Sequence, residues 1–118
     1  MAPAPPVNQT LPAITGTLED GHTVTSDTGT WTGTPAITYS RQWRRCDAAG
    51  SGCSDIPGAT GTTYDLVPAD VGSTLRVVIT ATNAGGTADA TSAATAAAAP
   101  APVAPPASVP PAAPSNGG

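Results

Sequence analysis

The stretch from residue 13 to residue 93 alternates apolar and polar side chains over short segments that are separated by turn residues. One segment places four apolar residues on a single face: Leu75, Val77, Ile79 and Ala81. A period of two is typical of a half-buried β-strand, because successive side chains point to opposite faces of the sheet. Turn residues recur about every 8 to 12 positions, the spacing of a β-sandwich. The pattern therefore predicts an all-β sandwich of short strands.

A second alternating segment comes earlier in the chain and contains most of the arginines. One face of this segment contains Ile37, Tyr39, Arg41, Trp43 and Arg45. Trp43 is therefore predicted to be the central tryptophan of the core. Arg41 is a charged residue on this face, and two explanations stay open. Either its stem lies near the edge of the sandwich with its head in water, or a bulge shifts the register of the strand.

The two ends of the chain differ in composition from the middle. Prolines at positions 3, 5, 6 and 12 predict an extended N-terminal arm over residues 1–12, since proline lacks an amide donor. The sandwich is predicted to span residues 13–95 and to begin with a strand pair joined by an Asp20-Gly21 turn. Residues 96–118 hold seven of the fourteen prolines and no charged residue, which predicts a flexible Pro/Ala-rich tail.

Composition excludes several classes of partner. The chain has no Phe, two Trp and two Tyr, so its core must be thin. Only 10% of residues are charged, the net charge is −4, and no basic stripe is present, which argues against binding to nucleic acid. No stretch approaches the ~20 consecutive apolar residues of a membrane span, so no membrane partner is predicted.

The two cysteines, Cys46 and Cys53, bracket a turn-rich segment that can close as a hairpin. They are predicted to form a disulfide that staples this hairpin. A zinc site needs about four ligands, and beyond the two cysteines only His22 is a good candidate. The acidic residues are dispersed over different turns and lack the spacing of a calcium loop. We therefore predict neither a metal nor another cofactor.

Catalytic chemistry has little support in the sequence. His22 is the only histidine, it follows a turn, and neither cysteine has a base placed beside it. We therefore predict that the chain is not an enzyme. The candidate contact residues for an acidic partner or a polysaccharide are Arg41, Arg44 and Arg45, which lie close to Trp43 and to Tyr39. The alternative is a strand whose apolar face is core and whose arginine face is solvated.

Short motifs over about residues 12 to 93 resemble the bacterial immunoglobulin-like repeat, which is common in large actinobacterial surface proteins and is also found on phage virion proteins. The matching pieces, in chain order, are Gly29-Thr-Trp31, Ile37-Thr-Tyr39, Gln42-Trp43-Arg44-Arg45-Cys46, Cys53-Ser-Asp-Ile56, Gly58-Ala-Thr, Tyr64, Ala69-Asp70-Val71-Gly72, Leu75-Arg76-Val77 and Ala81-Thr82-Asn83-Ala84-Gly85. The resemblance implies an immunoglobulin-like Greek-key β-sandwich of about seven strands, to which the composition of the two ends adds extended proline-rich terminal arms. It implies no catalytic chemistry.

Two functions follow as expectations from this resemblance. The first is a phage virion surface protein, a capsid decoration or head-fibre-like component, attached to the major capsid protein or another virion protein through a proline-rich arm. The alternative is an adhesion or carbohydrate-binding module excised from a bacterial cell-surface repeat protein, with host surface glycans as partners. The corresponding locations are the virion surface and the extracellular bacterial cell surface. The host, the receptor, the anchoring arm and self-association into a homo-oligomer stay open.

Overall fold

A computed structural model describes residues 2–102, and within this range the chain is all-β, as the sequence predicts. A single 3₁₀ turn covers Pro68–Asp70. The strands, in chain order, are β1 (Val7–Thr10), β2 (Ile14–Gly16), β3 (Thr23–Ser26), β4 (Thr30–Thr32), β5 (Thr38–Cys46), β6 (Ser54–Asp55), β7 (Thr63–Asp65), β8 (Thr74–Asn83) and β9 (Gly86–Thr91). Residues 103–118, most of the predicted flexible tail, lie outside the described residues.

The strands form three antiparallel sheets. Their orders are β1-β4, β2-β3-β7 and β6-β5-β8-β9. The predicted first hairpin is present as β2 and β3, which pair through Ile14 with Ser26 and Gly16 with Val24. Gly21, in the turn between them, has a φ of 89°, a conformation that glycine adopts without a steric penalty. The sheets enclose one core in a sandwich-like arrangement.

The long strands β5 and β8 form the centre of the four-stranded sheet. They pair without a register shift from Thr38 opposite Thr82 to Cys46 opposite Thr74. The bulge that could have explained Arg41 is therefore absent from this strand pair. Continuous alternation turns Trp43 and the apolar residues of β8 toward the core, as predicted from their period of two.

The core is centred on Trp43, which is fully buried together with Leu75, Val77 and Ile79. Trp43 stacks against the ring of Tyr64 with 5.7 Å between ring centroids. Its indole Nε1 donates a hydrogen bond to the Gly61 carbonyl oxygen at 2.8 Å, so the one polar atom of the side chain has a partner. Ala98 also belongs to this core, three residues beyond the expected end of the sandwich.

The N-terminal segment takes part in the fold. Strand β1 lies inside the predicted arm and pairs with β4, which lies in the segment that follows Gly29. The strand begins at Val7, directly after Pro6, because only a residue with an amide proton can donate to the ladder. Trp31, in the middle of β4, packs against the core and against Tyr39.

The two ends of the described chain lie at opposite poles of the domain. At one, here called the N-terminal pole, the Ala4 carbonyl oxygen accepts a hydrogen bond from Asn83, the last residue of β8. At the other, the C-terminal pole, the Ala98 amide bonds the Ser73 carbonyl just before β8 begins. The ten residues of β8 separate the two poles by roughly 30 Å. Among residues 2–102 there is no helix of the length and apolarity that crossing a membrane requires.

Candidate functional site

The three arginines predicted as contact residues lie on β5 but do not share a face. Arg41 and Arg45 point toward the interior between the sheets, and Arg44 points outward. Each has a partner inside the domain, so the strand does not present three free guanidinium groups. Whether any of them also contacts another molecule stays a prediction.

Arg45 forms the innermost of these interactions. Its Nε donates to Asp70 Oδ1 at 2.6 Å, and Asp70 has no solvent exposure. The second carboxylate oxygen accepts hydrogen bonds from the Tyr64 hydroxyl at 2.6 Å and from the Val67 backbone amide at 2.9 Å. A buried carboxylate needs several hydrogen-bond donors, because an unpaired charge in the interior is strongly unfavourable. The Arg45–Asp70–Tyr64 network therefore links β5, β7 and the turn before β8.

Proton affinities in this network follow from its hydrogen bonds and burial. Burial, and after it the hydrogen bond to Asp70, raises the pKa of Tyr64 to about 12. The hydrogen bond to Asp70 also raises the pKa of Arg45 above its ordinary value, against the opposing effect of desolvation. Tyr64 is thus held as a neutral donor and Arg45 as a cation at any physiological pH.

The raised pKa of Tyr64 predicts a loss of stability at alkaline pH. A group with a higher pKa in the folded state stabilises the fold fully below its unfolded pKa, and this contribution disappears as pH rises through the folded value. For Tyr64 the window runs from its ordinary value of 10.0 to about 12. The free energy of unfolding is expected to fall over this window in the natural chain and to change less in Tyr64→Phe, as measured by urea denaturation at each pH.

Phenolate absorbance measures the same pKa directly. The chain has two tyrosines, so in Tyr39→Phe the signal comes from Tyr64 alone. Its midpoint is expected near pH 12 in the folded protein and near pH 10 in concentrated urea. A midpoint near pH 10 in the folded protein would contradict the structural account of the network.

Arg41 and Arg44 are engaged by different means. Arg41 reaches across to the second sheet, where its Nε and an Nη donate to the Ser26 hydroxyl and carbonyl, both at 3.1 Å. Neither sequence explanation describes this contact fully, because β5 lies inside the four-stranded sheet and the guanidinium of Arg41 is bound to the opposite sheet instead of water. Arg44 pairs with Asp55 at 2.8 Å on the outer face, where the two side chains are 34% and 64% exposed. A surface pair of this kind adds about 0 to 1 kcal/mol.

The sulfur atoms of Cys46 and Cys53 are bonded to each other. Cys46 ends β5, and Cys53 directly precedes β6, so the bond closes the connection between two paired strands. Inside the closed loop Asp47 accepts backbone hydrogen bonds from Ala49 and Ser51, both at 2.9 Å. The side chain of Asp47 and the disulfide thus order the same turn.

Removal of this bond is expected to lower the free energy of unfolding by about 2.5 kcal/mol, from the loop entropy of an eight-residue segment. The paired variant Cys46→Ser/Cys53→Ser and the natural chain are compared by urea denaturation with and without a reducing agent. The reductant is expected to lower the stability of the natural chain to that of the variant. Equal stability of variant and natural chain under oxidising conditions would show that the bond contributes nothing.

The remaining candidates for chemistry are also tied to local structure. His22 Nε2 lies 2.9 Å from Glu19 Oε1 at an exposed turn. Among residues 2–102, no three or more His, Cys, Asp or Glu side chains are grouped as a metal site would require. Two open clefts follow the edges of the sandwich, one beside β7 and one beside β2. The first contains Asp65 and Tyr64, and none of the described residues that line the second is ionisable.

Sequence reasoning missed two polar contacts that organise the domain. The first is the pairing of Arg45 with Asp70, which also accepts a hydrogen bond from the Val67 amide in its own turn. A signal existed, since a second arginine on the core face of β5 requires a buried acceptor. The second contact is made by Asn83, which donates to the carbonyl oxygens of Ala4 and Thr34. No local pattern marks it.

No protein-family model, curated protein or solved structure matches the chain. The resemblance to bacterial immunoglobulin-like repeats therefore stays a prediction that depends on the sequence motifs alone. What the geometry defines is an antiparallel, sandwich-like β domain whose buried polar side chains bind one another across the sheets.

Proposed function

We propose that the chain is a non-enzymatic structural and binding module displayed on a virion surface, as a capsid decoration or head-fibre-like protein. In this proposal the displayed domain is an immunoglobulin-like Greek-key sandwich. The sheet orders β2-β3-β7 and β6-β5-β8-β9 support that assignment, because they correspond to the immunoglobulin orders A-B-E and C′-C-F-G.

The exit of the two chain ends at opposite poles carries the proposal. Residues 4–6 are held beside Asn83, and Ala98 and Ala99 are held beside Val71 and Glu19, with the length of β8 between the two sites. A domain of this geometry projects away from whatever holds one of its ends. A protein that displays a domain on a surface needs this projection, whereas catalysis does not depend on it.

The C-terminal tail is the better candidate for the anchor. The N-terminal segment is bound to its own domain through β1 and through the contacts of Ala4, so it is not free to bind a shell. The chain continues beyond Ala99 with a proline-rich segment that carries no charge. The proposed partner of this segment is the major capsid protein or another virion protein.

Charge also bears on how the module would bind. All four arginines, the only Lys or Arg residues of the chain, donate hydrogen bonds within the domain. The domain therefore offers an acidic partner few positively charged side chains that are not already hydrogen-bonded. Attachment at many equivalent positions of a symmetric shell gives useful avidity from weak single contacts, which suits a neutral tail.

Fractionation of a lysed culture tests the proposal. An antibody raised against the purified chain is used to follow it on a density gradient that separates DNA-filled particles from cell envelopes. The chain is expected to band with the particles, and re-added chain that ends at Ala99 is expected to lose this binding while keeping its fold. A chain found on envelopes and absent from particles would overturn the virion proposal.

The alternative, an adhesion or carbohydrate-binding module of a cell-surface protein, is favoured by a different observation. Tyr39 is 43% exposed, and its ring is tilted against Trp31 with centroids 6.3 Å apart. Exposed aromatic rings combine an apolar face with a polar tip, as sugar rings require. If this proposal holds, the chain binds envelopes, and Tyr39→Ala weakens that binding while Arg44→Ala leaves it unchanged.

A further inference from the structure

The N-terminal pole contains a groove that holds Ala4, Pro5 and Pro6. Both backbone groups of Ala4 are bound there. Its amide donates to Thr34 Oγ1 at 2.8 Å, and its carbonyl oxygen accepts from the Thr34 amide at 3.1 Å and from Asn83 Nδ2 at 2.7 Å. The same Nδ2 bonds the Thr34 carbonyl, and Gly85 donates to Asn83 Oδ1, so the side chain of Asn83 is fixed in place.

Two glycines shape the walls of this groove. A Cβ atom at Gly85 would lie 2.6 Å from the nitrogen of Pro5, and one at Gly33 would lie 3.0 Å from its carbonyl oxygen. A side chain at Gly85 would clash with the bound segment, and one at Gly33, where φ is 143°, would be strained and tightly packed against it. Pro6 is buried, whereas Ala4 and Pro5 are exposed on their outer sides. The groove is therefore fitted to an extended Ala-Pro-Pro backbone whose prolines need no acceptor for an amide proton.

The same tripeptide occurs once more in the chain, as Ala104-Pro105-Pro106 in the tail. Thr34 and Asn83 bind the amide proton and the carbonyl oxygen of Ala4, and Ala104 has the same two groups before its own pair of prolines. The two prolines follow in the same order. By sequence, the tail carries a second ligand for the groove.

Distance decides which groove this second ligand can reach. Ala99 is held at the C-terminal pole, where its amide bonds the Leu18 carbonyl oxygen. Ala104 follows five residues later, and five fully extended residues span at most about 18 Å. The groove of the same molecule is roughly 30 Å away, at the far end of β8. Ala104-Pro105-Pro106 can therefore reach only the groove of another copy.

We propose that this groove binds the Ala104-Pro105-Pro106 segment of a second copy, so that copies associate head to tail. The incoming segment replaces residues 4–6 of the receiving copy and makes the same hydrogen bonds, so the exchange is nearly balanced and depends on concentration. Because donor and groove lie at opposite poles, each added copy exposes a new groove and a new tail, which gives open linear chains. This self-association goes beyond the proposed function and does not require a virion.

A full-length variant tests the exchange by weakening the competing segment. Pro5→Asp/Pro6→Asp leaves Gly33, Thr34, Asn83 and Gly85 unchanged, and circular dichroism verifies that the fold is kept. Sedimentation velocity over increasing concentration is expected to show at least a doubling of the weight-average mass. The matched control adds Pro→Asp changes at positions 105, 106, 110 and 111 and is expected to stay monomeric. A monomeric first variant, or oligomers that persist in the control, would overturn the proposal.

A peptide titration tests the groove without any change to the protein. The peptide has the sequence of residues 101–107, and its control carries aspartate in place of the two adjacent prolines. A tethered segment competes at roughly millimolar effective concentration, so the peptide is added to well above that level. The NMR signals of the Ala4 amide and methyl groups, which lose their groove contacts when the peptide displaces residues 4–6, are expected to shift with the first peptide only. If neither peptide shifts these signals, or both shift them equally, the groove does not bind the tail. Should the aspartate variant fail to fold, the peptide titration by itself still tests the proposal.

Discussion

Asp70→Ala is expected to lower the free energy of unfolding by about 3 to 5 kcal/mol, because it removes a fully buried carboxylate and leaves three donors without their acceptor. Asp70 has no solvent exposure and accepts hydrogen bonds from Arg45, Tyr64 and the Val67 amide. All three donors lose their partner at once. For a domain with a total stability of about 5 to 15 kcal/mol, such a loss is a large fraction of the whole.

The neighbouring arginine supplies the matched control for this experiment. Asp55→Ala removes the partner of Arg44, whose ion pair lies on the outer face and is open to solvent. Its effect is expected to stay within about 1 kcal/mol. Urea denaturation of both variants at neutral pH, followed by circular dichroism, gives the comparison. Equal losses from the two substitutions would mean that the buried network has no special role.

Trp43→Ala is expected to have an effect of similar size, about 3 to 5 kcal/mol. The substitution removes the largest fully buried side chain, its stacking on Tyr64 and its hydrogen bond to the Gly61 carbonyl. A core with no phenylalanine has few large neighbours that can move into the space. At room temperature a substantial unfolded population is the expected result.

Trp31 provides the comparison for the core substitution. It is only half-buried, and its indole nitrogen bonds the nearby Thr28 carbonyl at 2.7 Å. Trp31→Ala is therefore expected to lower the free energy of unfolding by less than half as much as Trp43→Ala. Far-ultraviolet circular dichroism is the appropriate signal for urea denaturation, since each variant has lost one of the two tryptophans. A larger effect at Trp31 would place the centre of the core at β4.

Much of the fold could be predicted because its signals are local. The alternation of Leu75, Val77 and Ile79 appears in neighbouring residues, and the side-chain period of a strand converts it directly into burial. The Asp20-Gly21 turn is equally local. These features gave the all-β class, the position of Trp43 and the first hairpin.

The contacts that sequence reasoning missed join residues that are far apart in the chain. Arg45 and Asp70 are separated by 25 positions, and Asn83 and Ala4 by 79. Propensity and periodicity describe a residue's own segment, so they show that Arg45 needs a buried acceptor without identifying it. The pairing of β1 with β4 was missed for the same reason, since prolines around β1 dominate its local pattern.

The separation of the chain ends by the length of β8 also determines how the domain responds to tension. A pull between residue 4 and residue 99 acts along the strands, while the backbone hydrogen bonds of β1 with β4 and of Ala98 and Ala99 with their neighbours run across them. Such bonds are loaded together in shear and do not open one at a time. The residues between Cys46 and Cys53 are held inside a covalent loop and add nothing to the length that the chain gains on unfolding. A domain loaded in this direction would therefore resist extension until several hydrogen bonds break together.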